Sequence, residues 1–299
     1  MSIFKLDPAF KDYIWGGTRL RDEYGKKCDY DKVAESWELS CHKDGPSVVA
    51  DGEYKGLTLN EYIEKAGKGV LGKNCERFEN FPILIKLIDA KDNLSVQVHP
   101  DNDYAMRVEG EYGKTEMWYV VDCDEGATLL YGFKHEITKE EFARRIADNT
   151  LLEVTNAVPV KKGDVFFIKS GTLHAIGKGI LIAEIQQNSN TTYRIYDYGR
   201  VGKDGKPREL HVNKALDVTK LAPAEQYPET PVEKKDGYDI KLLSKCEYFT
   251  TYRVNVETKA ELDADENSFN SILVLEGEPV ISGGETVSCL LYTSDAADE

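Results

Sequence analysis

The feature that most constrains this chain is how often it switches between short β-branched runs and turn residues. FPILIKLIDA (81–90), LSVQVHP (94–100), EMWYVVD (116–122), ATLLYGF (127–133), DVFFIKS (164–170) and ILIAEIQQ (180–187) are rich in Val, Ile and aromatic side chains, and Gly, Asp and Asn separate them. Strand-dominated segments of this kind, joined by hairpin turns, close as an antiparallel barrel or jelly roll. Helical signals are fewer. Thr58-Leu-Asn-Glu61 and Thr138-Lys-Glu-Glu141 match capping boxes, opening LNEYIEKAG and KEEFARRIADN, and HPDNDYAMRVEG holds another short helix.

The stretch 220–237, KLAPAEQYPETPVEKKDG, carries three prolines and many charges and reads as a linker. It divides a large N-terminal barrel domain (1–219) from the start of a second one (238–288), where strands resume at KCEYFTTYRVNVET and SFNSILVLEG. The last eleven residues, CLLYTSDAADE (289–299), break that pattern and resemble a translated sequencing adapter. They are expected to be non-native, and the second barrel is expected to be incomplete.

A net charge of -15 argues against a nucleic-acid partner, which requires clustered Lys and Arg. It leaves room for one phosphate in a locally cationic pocket. No run approaches the roughly 18 apolar residues of a membrane span. The N-terminus shows no signal peptide. The six cysteines lie far apart with no CxxC, as reduced thiols of a cytoplasmic protein do. A monomer or weak homodimer is expected.

The densest chemistry is in SVQVHPDN. Side chains two apart on a strand share a face, so Ser95, Gln97 and His99 project together, with Val96 and Val98 opposite. Glu116 follows near the start of the next strand, and GDVFFIKSGTLHAIG carries His174. That last segment follows a cupin motif, Gly-x5-Pro-x-Gly-x2-His, as Gly163, Gly171 and His174, with Lys169 standing in the Pro position. Taken singly, a strand histidine is more often a hydrogen-bonded core residue, and Glu116 could be a solvated strand-end charge. Together, two His, one Glu and one Gln suit Zn²⁺, with Fe, Mn, Co or Ni as alternatives. Lys86, alone inside the apolar PILIKLI, either lines a polar pocket or snorkels from an edge. Trp37 and Trp118 read as core. Trp15, Gly16 and Gly17 fit a cleft or a turn. His42, His135 and His211 stand outside the metal set.

SVQVHPDN, GKTEMWYV, SGTLHAIG and YRIYDYGR, occurring in this order, resemble the short bacterial form of the type I mannose-6-phosphate isomerase family, as do WGGTRL and AESWELSCH nearer the N-terminus. The resemblance implies tandem cupin barrels, mainly β with a few short helices, and a cytoplasmic enzyme with one Zn²⁺ per chain. It implies interconversion of mannose 6-phosphate and fructose 6-phosphate. Its residues carry over as Gln97, His99, Glu116 and His174 for the metal, Arg194 and Lys114 for catalysis, and Ser95, Lys86 and Arg200 for the phosphorylated hexose. The general base stays open among Asp197, Lys114 and a metal-bound water. The competing readings are a cupin iron oxygenase, built on the same His and Glu types, and a non-catalytic cupin that binds sugar phosphates.

Overall fold

The structure, a computed structural model, describes residues 3–202, 205–282 and 290–293. The chain is mainly β, as its sequence led us to expect. A six-stranded antiparallel sheet runs in the order Val165–Ile168, Glu116–Cys123, Ile180–Gln187, Ile83–Ala90, Glu35–Leu39, Ala9–Lys11. A five-stranded antiparallel sheet runs Tyr193–Tyr196, Val96–Val98, His174–Ala175, Thr128–Phe133, Thr155–Pro159. Ile88, Val120 and Ile182 of the first sheet share one core cluster with Leu129 and Tyr131 of the second, so the two sheets face each other across a packed interior.

Alternation sorts the remaining apolar residues to the outside. Val96, Val98, Tyr193 and Ile195 pack outward against Phe142 of the helix Lys139–Ala147 and Ala215 of the helix Val212–Val218. Ile83, Ile85, Met117 and Ile185 pack outward against the helix Leu59–Ala66 and against Leu243 and Phe249 from the C-terminal region. With both faces covered, every residue of Ile83–Ala90 is buried, which is why that strand reads as an almost unbroken apolar run. Trp15 joins the interior core, and Gly16 and Gly17 are required by close approach: a Cβ would strike Ala34 at the first and Asp89 at the second.

Thr58 forms the complete capping box with Glu61. Thr138 forms half of one: its hydroxyl accepts from the Glu141 N–H, while the Glu141 carboxylate turns to Arg145 at 2.8 Å. Asp101 caps the third helix, Asn102–Val108. Val232–Lys235, inside the stretch expected to be linker, is an edge strand of a three-stranded antiparallel sheet with Tyr238–Lys245 and Thr250–Val256. Of residues 289–299, only Leu290–Thr293 is described: it pairs in parallel with Ile3–Asp7 and Asn270–Leu273, and the rest of that segment lies outside the described residues. Among the described residues no helix is long and apolar enough to cross a membrane.

Candidate active site

Strand register gathers the site. His174 pairs across the five-stranded sheet with Gln97, and Gln97 pairs on its other side with Arg194, so all three side chains project from the same face. His99 follows Gln97 by two residues and joins that face. The His174 Nε2 lies 3.2 Å from the His99 Nε2 and 3.4 Å from the Gln97 amide. Glu116 arrives from the opposing sheet, with Oε1 3.4 Å from His174 Nε2 and Oε2 3.7 Å from His99 Nε2. One ligand atom from each of His99, Glu116 and His174 falls within 4.8 Å of the other two, and all three residues are fully buried.

The hydrogen bonds around these groups fix what they offer. His99 Nδ1 donates to the Thr191 carbonyl at 2.9 Å and His174 Nδ1 to the Thr172 carbonyl at 2.8 Å. A carbonyl can only accept, so each ring carries its proton on Nδ1 and turns an Nε2 lone pair into the site. Burial, then Lys114, keeps His99 far below the ordinary imidazole range, and burial drives His174 down to about 4. Both rings are therefore neutral at working pH. Two lone pairs thus meet at 3.2 Å beside the buried Glu116 carboxylate. Such a set of donors fits a divalent cation, and the Gln97 amide can add its oxygen.

A ladder of buried charge runs from there across the six-stranded sheet. Lys114 Nζ is 3.0 Å from Glu116 and 3.7 Å from Glu184, while Lys86 Nζ is 3.3 Å from Glu184 and 3.7 Å from Glu35. The indole N–H groups of Trp118 and Trp37 donate to Glu184 and Glu35 at 2.8 and 2.6 Å. Both tryptophans are core residues that also face this polar row. Burial pushes Glu116 up, and the neighbouring Glu184 pushes it further. Burial would raise Glu184 too, but Lys114 and Lys86 outweigh it and hold that carboxylate low. Lys86 is held above its ordinary range, since Glu35, Glu184 and Glu116 overcome its burial. Its strand lies between two others in the sheet, so the snorkelling reading does not apply.

Residues 3–126 match the family model of the phosphomannose isomerase type I catalytic domain. The mannose-6-phosphate isomerase ManA of Bacillus subtilis is 41% identical over 281 residues, which cover 94% of this chain and 87% of that protein. The chain belongs to the type I phosphomannose isomerases. The mannose-6-phosphate isomerase of Streptococcus mutans is 40% identical over 277 residues, covering 91% of this chain and 84% of that one. The crystal structure of the mannose 6-phosphate isomerase from Bacillus subtilis aligns with a TM-score of 0.82 at 41% identity, over 87% of this chain and 82% of that one.

In this phosphomannose isomerase the remaining expected residues fall into two groups. Ser95 is buried beside Gln97, its hydroxyl 3.4 Å from the amide oxygen. Arg194, Arg200 and Asp197 lie together close by: Val96 pairs with Tyr196, and Arg200 donates to the Asn93 carbonyl. Asp197 is saturated: Arg208 donates to both its oxygens at 2.8 and 2.6 Å, and Arg200 to one of them at 2.5 Å. Burial alone would raise Asp197, but the two guanidiniums hold it below the usual range, so it is poorly placed to accept a proton. Arg194 is set by the segment running beside it: its N–H donates to His211 Nδ1 at 3.2 Å and its Nη1 to the Glu209 carbonyl at 2.9 Å, while its buried Nε has no hydrogen-bond partner among the described residues. Sequence reasoning passed over Arg208, Glu184 and Glu35. Glu184 carries the same signal that marked Lys86, a lone charge in an apolar strand.

Proposed function

We propose that this chain interconverts mannose 6-phosphate and fructose 6-phosphate, moving a proton between C1 and C2 through a cis-enediol, with one divalent cation held by Gln97, His99, Glu116 and His174. The observation that carries the reading is the pair of neutral imidazoles 3.2 Å apart, each turned inward by a carbonyl and facing the buried Glu116 carboxylate. The relatives that match most of the chain bear the name of this reaction. A bound cation supplies Lewis acidity that polarises the sugar carbonyl.

The protein's own groups do the rest. The Thr172 and Thr191 carbonyls hold the two rings in one tautomer. Arg194 stays charged at any working pH, so it stabilises negative charge developing on the enediolate oxygens and makes a poor base. Lys114, within 4 Å of Glu116 and Glu184, is the side chain we assign to proton shuttling. Lys86 keeps Glu184 ionised, and with Ser95 and Arg200 it is assigned to the substrate's phosphate side. Zn²⁺ as the ion, a cytoplasmic location and a monomer or weak homodimer belong to the same proposal.

A coupled assay following fructose 6-phosphate from mannose 6-phosphate, run before and after chelation, tests it. Turnover should vanish with the metal and return with Zn²⁺. Undiminished turnover in protein shown metal-free by elemental analysis overturns the reading.

A further inference from the structure

The turn at residues 188–191 holds none of the proposed ligands, yet it supplies the carbonyl that orients one of them. His99 Nδ1 bonds to Thr191, and that carbonyl is in place only while the turn is. Neighbouring segments grip the turn from two sides. On the side of the strand Ile180–Gln187, Gln186 Nε2 donates to the Ser189 carbonyl at 2.6 Å, and the Ser189 hydroxyl accepts from the Thr191 N–H at 3.2 Å. On the other side, Glu111 Oε2 accepts from the Thr191 hydroxyl at 3.3 Å, and Asp44 accepts from the Asn190 amide at 2.9 Å. Burial would raise Glu111, but Lys43, His42 and the Asn190 backbone N–H hold it below the usual range, so it is a carboxylate at working pH. Lys43 Nζ lies 3.0 Å from it and His42 Nε2 3.7 Å.

Glu111 stands five residues before Glu116 on one continuous segment. The segment that delivers the carboxylate ligand from the six-stranded sheet therefore also grips the turn behind a histidine ligand from the five-stranded sheet. We propose that Glu111 is a positioning residue: it fixes the Asn190–Thr191 turn, and through the Thr191 carbonyl it fixes the tautomer and direction of the His99 ring. This rests on the metal reading above. Groups behind a ligating histidine are typically worth about 10–100-fold in metal affinity.

The test uses the full chain loaded with Co²⁺, comparing wild type with Glu111→Ala, Glu111→Gln and Thr191→Val. The Co²⁺ dissociation constant is read by chelator competition, and the geometry of the site by visible absorption. Glu111→Ala should weaken Co²⁺ by about 10–100-fold and shift its absorption bands. Glu111→Gln should regain most of both, because its amide oxygen accepts the same bonds. Thr191→Val, which loses one bond and keeps the carbonyl, should fall between. If Glu111→Ala does not fold, Thr191→Val carries the test, and wild-type binding and spectrum in it overturn the proposal. Wild-type binding and spectrum in Glu111→Ala, or a glutamine variant no better than alanine, also overturn it. If His99→Ala loses Co²⁺ while Glu111→Ala keeps it, the metal reading stands and the role of Glu111 falls. If wild type and His99→Ala bind Co²⁺ alike, both fall.

Discussion

Lys86 and Lys234 both sit on β-strands and both face a carboxylate, but in opposite surroundings. Lys86 is 4% exposed at its side chain, between Glu184 and Glu35 inside the six-stranded sheet, whereas Lys234 is 79% exposed, 3.7 Å from Asp239 on the edge of the C-terminal sheet. Removing a charge from water costs several kcal/mol, and attraction inside offsets this only when partners are close and correctly placed. The interior therefore alternates its charges in an unbroken run, from Glu35 through Lys86, Glu184 and Lys114 to Glu116. The C-terminal sheet does without such order because water solvates its charges one by one. The buried row ends at Glu116, one of the ligands proposed for the cation.

The contrast can be pressed hardest at the cation. His99→Ala or His174→Ala should abolish metal retention, measured by elemental analysis of the purified variants, and turnover should go with it; full occupancy in both would remove these rings from the site. Next comes Arg194→Ala, which should keep its metal and lose turnover by about 10²–10³-fold in kcat. Turnover like that of wild type would end its catalytic role.

Smaller in scale is Lys86→Met, which leaves Glu35 and Glu184 short of a cation and should cost about 3 kcal/mol in urea unfolding. It also carries a pH signature. Lys86 is held above the ordinary lysine value of 10.5 in the folded protein, so its contribution is complete below that pH and lost as pH rises through the folded value. The methionine variant should lack this part of the alkaline decline, and an unchanged alkaline limb would show that Lys86 is not the group responsible. The smallest effect belongs to Lys234→Ala, expected to change stability by about 0.5 kcal/mol or less. A loss comparable to that of Lys86→Met would erase the comparison.

Much of this was legible in the sequence where the signal is local. The capping residues Thr58 and Thr138 start helices because cap chemistry is settled within one turn. Gln97, His99, Glu116 and His174 stand out because strand alternation and a short turn motif place them. The ladder was half legible: Lys86 is conspicuous in its apolar run, but Glu184 lies 98 positions later and becomes its partner only through the register of two strands. Arg208 and Glu111 gave no such signal, since each sits in an irregular segment and acts on residues brought near by the fold. The strand at Val232–Lys235 was masked by the prolines before it, which announce a turn and say nothing about the four residues that follow.

That same strand has a colloidal consequence. An outer β-edge offers free N–H and C=O groups to any passing chain, and long apolar edges are where sheets begin to recruit one another. Here Glu233, Lys234 and Lys235 line the border, all of them exposed. A newcomer would have to dehydrate charges of both signs before gaining its first ladder bond, so three charged residues guard this side of the molecule against growing into its neighbours.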